Sequence, residues 1–187
     1  METQILAVDR AWNADRWIDA QTAMNLISRG AVQTSFGETA LVLRGGTNAI
    51  TGKQSIMEVG SILVVETKSY TVRDFRYAPY ERELLFKRDR CICAYCAQEY
   101  RASQLEVEHV RPQCQGGLTV WENLVSSCHA CNQRKGGRTP EQAHMELAYL
   151  PYAPERHEWL IMKNRRILGD QMDFLMTRVP EHSRLHA

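Results

Sequence analysis

Two Cys-x-x-Cys pairs, Cys93-Ala-Tyr-Cys96 and Cys128-His-Ala-Cys131, constrain this chain more than any other feature. Each such turn directs two thiolates at one point, and four thiolates complete the tetrahedron that zinc prefers. The spacing therefore predicts a structural zinc ion tying two distant stretches of backbone together. One pair alone would fit a redox motif equally well. Two in a chain of 187 residues point to a metal. Six cysteines, four of them in ligand spacing, also fit a reducing compartment better than a disulfide framework, so the expected location is cytoplasmic. Cys91 and Cys114 fall outside the pairs. Cys91 could stand in for Cys93, and otherwise both are spare thiols.

Between and just after the pairs the chain offers Glu108-His109-Val-Arg-Pro112, Gly116-Gly117, Trp121-Glu-Asn123-Leu124 and Asn132-x-x-Lys135. With these motifs in this order, residues 84–140 resemble the HNH endonuclease family in its zinc-stapled form. The resemblance implies a ββα-metal hairpin and helix gripping one catalytic divalent ion, and it favours Cys93 over Cys91 as a zinc ligand. Hydrolysis of a phosphodiester needs an activated water, a sink for the negative charge of the transition state and help for the leaving oxygen. By the resemblance His109 is the general base, and Glu108 and Asn132 hold the ion through oxygen. Asn123 fixes the imidazole tautomer, and Lys135 meets a phosphate. The family more often has aspartate where this chain has Glu108, and other members carry histidine where it has Asn132. An amide oxygen suits Mg²⁺ or Mn²⁺ where imidazole suits zinc or nickel, so the catalytic ion is expected to be one of the former.

Local geometry supports part of this set. Asn132 and Lys135 are three apart and share a helix face if a helix starts near Cys128. Glu108 and His109 are adjacent, and a regular strand sends neighbours to opposite faces. Both reach one site only at a strand end or bulge; in a regular strand Glu106 shares a face with Glu108 and competes as a ligand. Arg111, Arg134 and Arg138 flank the motif and are candidate phosphate contacts, though single surface arginines are also common. His129 lies inside the second cysteine pair, where it either touches DNA or is merely exposed. Gly116-Gly117 turns the chain, and Trp121 is a core residue.

The rest of the chain predicts an α+β protein in three parts. Residues 1–76 form a small α/β unit, 77–138 the nuclease module with its zinc site, and 139–187 a C-terminal helical segment. In the first part, Ile5–Val8 is a buried strand, and Trp17, Ala20, Met24 and Ile27 follow a helical period ending near Gly30. Val32–Phe36 and Ala40–Leu43 read as two strands before a Gly45-Gly46 turn, and Ile62–Glu66 as another. Asp9, Asp15 and Asp19 are solvated caps before they are metal ligands. Residues 68–90 interleave Lys68, Arg73, Arg76, Arg82, Lys87, Arg88 and Arg90 with Tyr70, Phe75, Tyr77, Tyr80 and Phe86. Acidic neighbours offset most of that charge, so a connector and a helix over Glu81–Arg90 explain it better than a nucleic-acid surface.

In the last part, Thr139-Pro140 is a helix N-cap with proline at the first helical position, and the helix should reach about Leu147. From Glu155 a longer helix is expected with Ile161, Leu168, Met172, Leu175 and Val179 in one stripe, packed within the chain or against a second copy in a homodimer. The net charge of +1 excludes a protein coated in positive charge and leaves room for a local basic patch. No apolar run is long enough to span a membrane, and the first residues lack the basic start of a secretory signal. Together with the resemblance, these features predict a metal-dependent endonuclease acting on DNA, and the resemblance implies 5′-phosphate and 3′-hydroxyl ends. A second reading stays open: a zinc-stabilised nucleic-acid-binding module of the same fold that does not cut. Such a module has no chemical need for the full set Glu108, His109, Asn123 and Asn132. The residues alone do not separate DNA from RNA; only the resemblance favours DNA.

Overall fold

The computed structural model describes residues 4–66 and 80–186. Lys68, Tyr70, Arg73, Phe75, Arg76 and Tyr77 lie outside these residues. The described chain forms two compact units, one from the residues up to 66 with Asn164–Arg178, the other from 80 to Lys163 with Val179 onwards.

The first unit is a four-stranded sheet in the order β2-β1-β4-β3, with β1 Ile5–Val8, β2 Ala14–Ile18, β3 Val32–Thr47 and β4 Gln54–Val65. β1 runs parallel to β4 and antiparallel to β2, and β3 and β4 form a long antiparallel ribbon. β1 and the end of β4 are buried on both faces, which is why they read as unbroken apolar runs. Helix α1, Ala20–Ser28, covers one face, where Ala23 packs with Ile5, Ala7, Leu63 and Val65. On the other face lies α6, Gly169–Met176, whose buried Gln171 donates to the carbonyls of Gln4 (2.9 Å) and Ser61 (2.8 Å).

Two expectations for this unit change. Trp17 sits on strand β2, because Asp19 is the N-cap of α1, accepting from the Thr22 N–H at 2.8 Å, and the helix cannot begin before it. β3 is one continuous strand, with Gly45-Gly46 inside it at a shift of register. The turn comes later because Asn48 closes it, its Oδ1 accepting the N–H groups of Ile50 (2.8 Å) and Thr51 (2.9 Å). Gly60 is required in β4: a Cβ there would lie 2.3 Å from the Phe36 carbonyl oxygen.

The second unit carries the ββα hairpin and helix. Helix α2, Arg82–Arg88, leads into the first cysteine pair and buries Leu84, Leu85 and Phe86 against Leu105, Trp121, Leu124 and Met162. Strands β5, Leu105–His109, and β6, Leu124–Cys128, pair antiparallel without a register shift, and helix α3, His129–Lys135, follows directly and packs on both. Helices α4, Pro140–Ala143, and α5, Arg156–Lys163, complete the unit. Thr139 caps α4 in a reciprocal box with Gln142, yet the helix ends at His144 in a left-handed conformation rather than reaching Leu147.

The expected long C-terminal helix is two helices, α5 and α6, and they belong to different units. Asn164 accepts from the Arg166 N–H (3.1 Å), and Leu168 starts a new N-terminus by donating to Gln171 Oε1 (3.0 Å). Ile161 and Leu175 therefore do not share a helical stripe, which removes the single-helix face on which a homodimer was expected. The architecture is a small α/β unit, a ββα module with a four-cysteine cluster, and C-terminal helices.

Candidate metal centre and nuclease site

The four cysteines of the two pairs converge: the Sγ atoms of Cys93, Cys96, Cys128 and Cys131 all lie within 4.8 Å of one another. Tetrahedral ligation at about 2.3 Å from zinc needs sulfurs roughly 3.8 Å apart, so the cluster fits with a small contraction. No other group of three or more His, Cys, Asp or Glu ligands lies within reach of one ion among the described residues. Asp9 and Asp19 are caps, accepting from backbone N–H groups, and Asp15 is paired with Arg16.

The first knuckle is fixed by the Ala97 N–H donating to the Cys93 carbonyl (3.0 Å), and it is joined to β6 by Ala94 N–H to Ser126 O (2.8 Å). Burial alone would raise the Cys93 thiol. Backbone N–H groups of Cys96, Cys128 and Tyr95 outweigh it and bring the thiol down to about 7. Cys131 is held well above its ordinary value by burial and then by the neighbouring thiols. One thiolate thus forms readily and the next is opposed, a situation that a bound cation relieves. Cys91 packs against the core of the unit and Cys114 is exposed; neither belongs to the cluster.

Because β5 is regular, Glu106 and Glu108 share the face on which α3 packs. Glu108 is 8% exposed and is ion-paired with Lys135, whose Nζ also donates to the His109 carbonyl at 2.9 Å. Lys135 is fully buried. This is a different place from the expected phosphate contact. Its long side chain runs under the hairpin, where a solvent-facing phosphate could not reach the ammonium without exposing Glu108. Asn132 donates its Nδ2 to Glu106 Oε2 (2.5 Å), and His129 Nδ1 lies 2.8 Å from Glu106 Oε1. These two contacts, His129 first, hold the Glu106 carboxyl below its ordinary range.

His109 ends β5, half-exposed, with Nε2 3.0 Å from Thr119 Oγ1, and Thr119 also accepts from Gln113 Nε2 at 3.2 Å. Asn123, expected at the imidazole, braces the backbone instead. Its Oδ1 accepts the Arg111 N–H (2.8 Å), and its Nδ2 donates to the carbonyls of Arg111 (3.1 Å) and Leu118 (2.8 Å). Sequence reasoning missed Thr119, since a lone threonine in a loop carries no spacing signal. The loop from Arg111 to Leu118 is tight. A Cβ on Gly117 would fall 1.8 Å from the Arg111 carbonyl oxygen, so that position admits only glycine.

Of the candidate arginines, Arg111 and Arg138 are turned back on the chain: Arg111 donates Nε to Gln115 O (2.8 Å), and Arg138 donates to the carbonyls of Arg134 (2.5 Å) and Lys135 (3.2 Å) at the end of α3. Arg134 is exposed on α3.

Residues 93–148, which contain both cysteine pairs and every residue of the hairpin and helix just described, match the family model of the HNH endonucleases. The chain carries an HNH-type nuclease domain. Over 51 residues it is 45% identical to the CRISPR-associated endonuclease Cas9 of Corynebacterium diphtheriae, a match covering 27% of this chain and only 5% of that protein. No solved structure matches significantly. The HNH module here is thus a β5–β6–α3 unit with a cluster of four cysteines able to hold a metal, a donor set that suits zinc. No described helix is long and apolar enough to cross a membrane.

Proposed function

We propose that the chain is a metal-dependent endonuclease that hydrolyses DNA phosphodiester bonds. The observation that carries this reading is the packing of α3 on β5, which sets Glu108 on the face toward Asn132 and leaves His109 at the very end of the strand, within a segment matching the HNH endonucleases. The domain likeness supports hydrolysis in general, and the finer roles follow from the residues.

His109 is the general base. Thr119 holds its Nε2, and with Nε2–H donated to that hydroxyl the lone pair of Nδ1 is left to take a proton from water. Glu108 and Asn132 offer hard oxygen donors, which fit Mg²⁺ or Mn²⁺ and would hold it; zinc belongs with the four cysteines. An ion held by Glu108 and Asn132 would supply a sink for the negative charge of the transition state. Asn123 keeps the Arg111–Leu118 loop closed and so keeps Thr119 beside the imidazole, and Arg134 is the candidate phosphate contact that α3 presents to solvent.

The test is cleavage of supercoiled plasmid with Mg²⁺, Mn²⁺ or chelator, run beside His109→Ala and with single-stranded DNA and RNA in parallel. Cutting should require the ion and fall by about 10²- to 10⁴-fold in the variant. Equal cutting by both proteins removes His109 from the mechanism. Tight binding without cutting under every ion favours the non-catalytic binding module, and RNA cleavage in place of DNA corrects the substrate.

A further inference from the structure

The side-chain amide of asparagine can present either its oxygen or its nitrogen to a given neighbour, and only the oxygen ligates a hard cation. What decides between them is the partner on the other side. Asn132 has such a partner in Glu106. An ionised carboxylate accepts and cannot donate, so the contact of 2.5 Å to Glu106 Oε2 must be made by Nδ2–H. The other carboxylate oxygen, Oε1, is taken by His129 Nδ1 at 2.8 Å. Glu106 is therefore gripped on both oxygens by residues of α3, and one of them, His129, stands inside the second cysteine pair. Its neighbour on the same strand face, Glu108, is engaged separately, by Lys135.

We propose that Glu106 is a positioning residue that fixes the amide of Asn132 with its Oδ1 turned toward the divalent ion. The inference rests on the reading of Asn132 as an ion ligand given above. Glu106 does not itself bind the ion: both of its oxygens are committed to α3, whereas Asn132 has its Nδ2 spent and its Oδ1 left for a cation. The cysteine clamp enters through the same contacts. Cys128 is the N-cap residue of α3 and Cys131 lies in its first turn, so a metal on both would hold in place the turn from which His129 and Asn132 meet Glu106.

Mn²⁺ binding to the zinc-loaded 187-residue chain tests this, by titration calorimetry and by the Mn²⁺ electron paramagnetic resonance signal, for wild type, E106Q, N132D and the double variant. Glutamine at 106 can donate as well as accept, so it no longer dictates which end of the Asn132 amide faces outward. E106Q should weaken Mn²⁺ about tenfold, as the loss of an orienting partner typically does, with zinc content and melting temperature unchanged. In the Asn132→Asp background there is no amide to orient, and both oxygens of the new carboxylate ligate equally. There E106Q should cost well under tenfold in Mn²⁺ affinity, only what the loss of one neighbouring negative charge removes. Equal affinity of wild type and E106Q overturns the proposal. So does the same tenfold loss in both backgrounds, which makes Glu106 a ligand or a source of bulk charge. If wild type binds no Mn²⁺ beyond background, the ion site proposed above fails, and the positioning role falls with it.

Discussion

The interiors of the two units of this chain differ in what they bury. The sheet unit has a conventional interior: Ile5, Ala7, Ile18, Ala23, Val59, Leu63 and Val65 are all buried in one cluster between strands and helix. In the HNH unit the two bulkiest fully buried side chains are cations, Arg88 and Lys135. Arg88 donates to the carbonyls of Trp121 (2.9 Å), Tyr152 (2.7 Å) and Leu124 (2.7 Å) and to Asp89 (2.8 Å), and Asp89 in turn accepts from the Ser126 N–H and hydroxyl. The hairpin has strands of only five residues and a helix of seven, too short to stand on propensity or apolar burial alone. Satisfied buried charge, and a cysteine cluster able to hold a metal, add there to the apolar cluster of Leu84, Leu85, Phe86, Leu105, Trp121, Leu124 and Met162. Short elements can then carry polar side chains at exact positions, which a catalytic site needs.

The contrast predicts that each unit breaks under its own insult. The largest effect should come from stripping the metal from the four cysteines, by strong chelation or by Cys128→Ser. Structural zinc of this kind is typically worth about 10 kcal/mol or more, so hydrogen exchange should collapse across residues 84–140 while β1 and β4 keep their protection. Equal loss of protection in both units would mean that they unfold as one. Arg88→Met comes next. It strands Asp89, whose side chain is 0% exposed, and leaves three carbonyls without their donor, at a cost of about 3–5 kcal/mol read by denaturant unfolding of the HNH unit. An apolar replacement that left the midpoint unmoved would show that the buried ion pair contributes nothing net.

Leu63→Ala should cost roughly 2–5 kcal/mol in the sheet unit and leave zinc content untouched. The smallest effect belongs to the Asp19 cap of α1. Contacts with Thr22, side chain first, hold its carboxyl below the ordinary 3.8. A group depressed by folding stabilises the fold above its unfolded value and loses that contribution as pH falls through its folded value. Asp19→Ala should therefore lower the melting temperature at pH 7, and the gap from wild type should close as the solution is acidified below pH 3.8. A gap that persists in acid would assign the effect to something other than the charged cap.

Much of the fold could be read from the chain because its signals are local. The cysteine spacing, the Ile5–Val8 run and the Thr139-Pro140 cap each act within a few residues, and each is found where the local chemistry puts it. What escaped depends on distant partners. Gly45-Gly46 has turn composition, but the ribbon continues through it because Asn48 offers a better closure. Lys135 has the residue type of a phosphate contact, and only the packing of α3 on β5 reveals that it runs inward to Glu108. Asn123 and Thr119 show the same limit: composition names residues that can touch an imidazole, and tertiary contact decides which does. The C-terminal stripe failed for a related reason, since a helical period in sequence says nothing about a break at Asn164 that two local side-chain hydrogen bonds create.

The sheet unit is not contiguous in the chain: α6, with the glutamine that bonds two of its strand carbonyls, comes after α5 of the other unit. During synthesis from the N-terminus, the hairpin and its four cysteines emerge while the sheet still lacks one of its covering helices. The exposed face of that sheet must wait about a hundred residues for its cover, whereas the four thiols are available as soon as Cys131 leaves the ribosome. A metal taken up by the four thiols at that moment would order the hairpin before either unit is complete, since the HNH unit also waits for the residues from Val179 onwards.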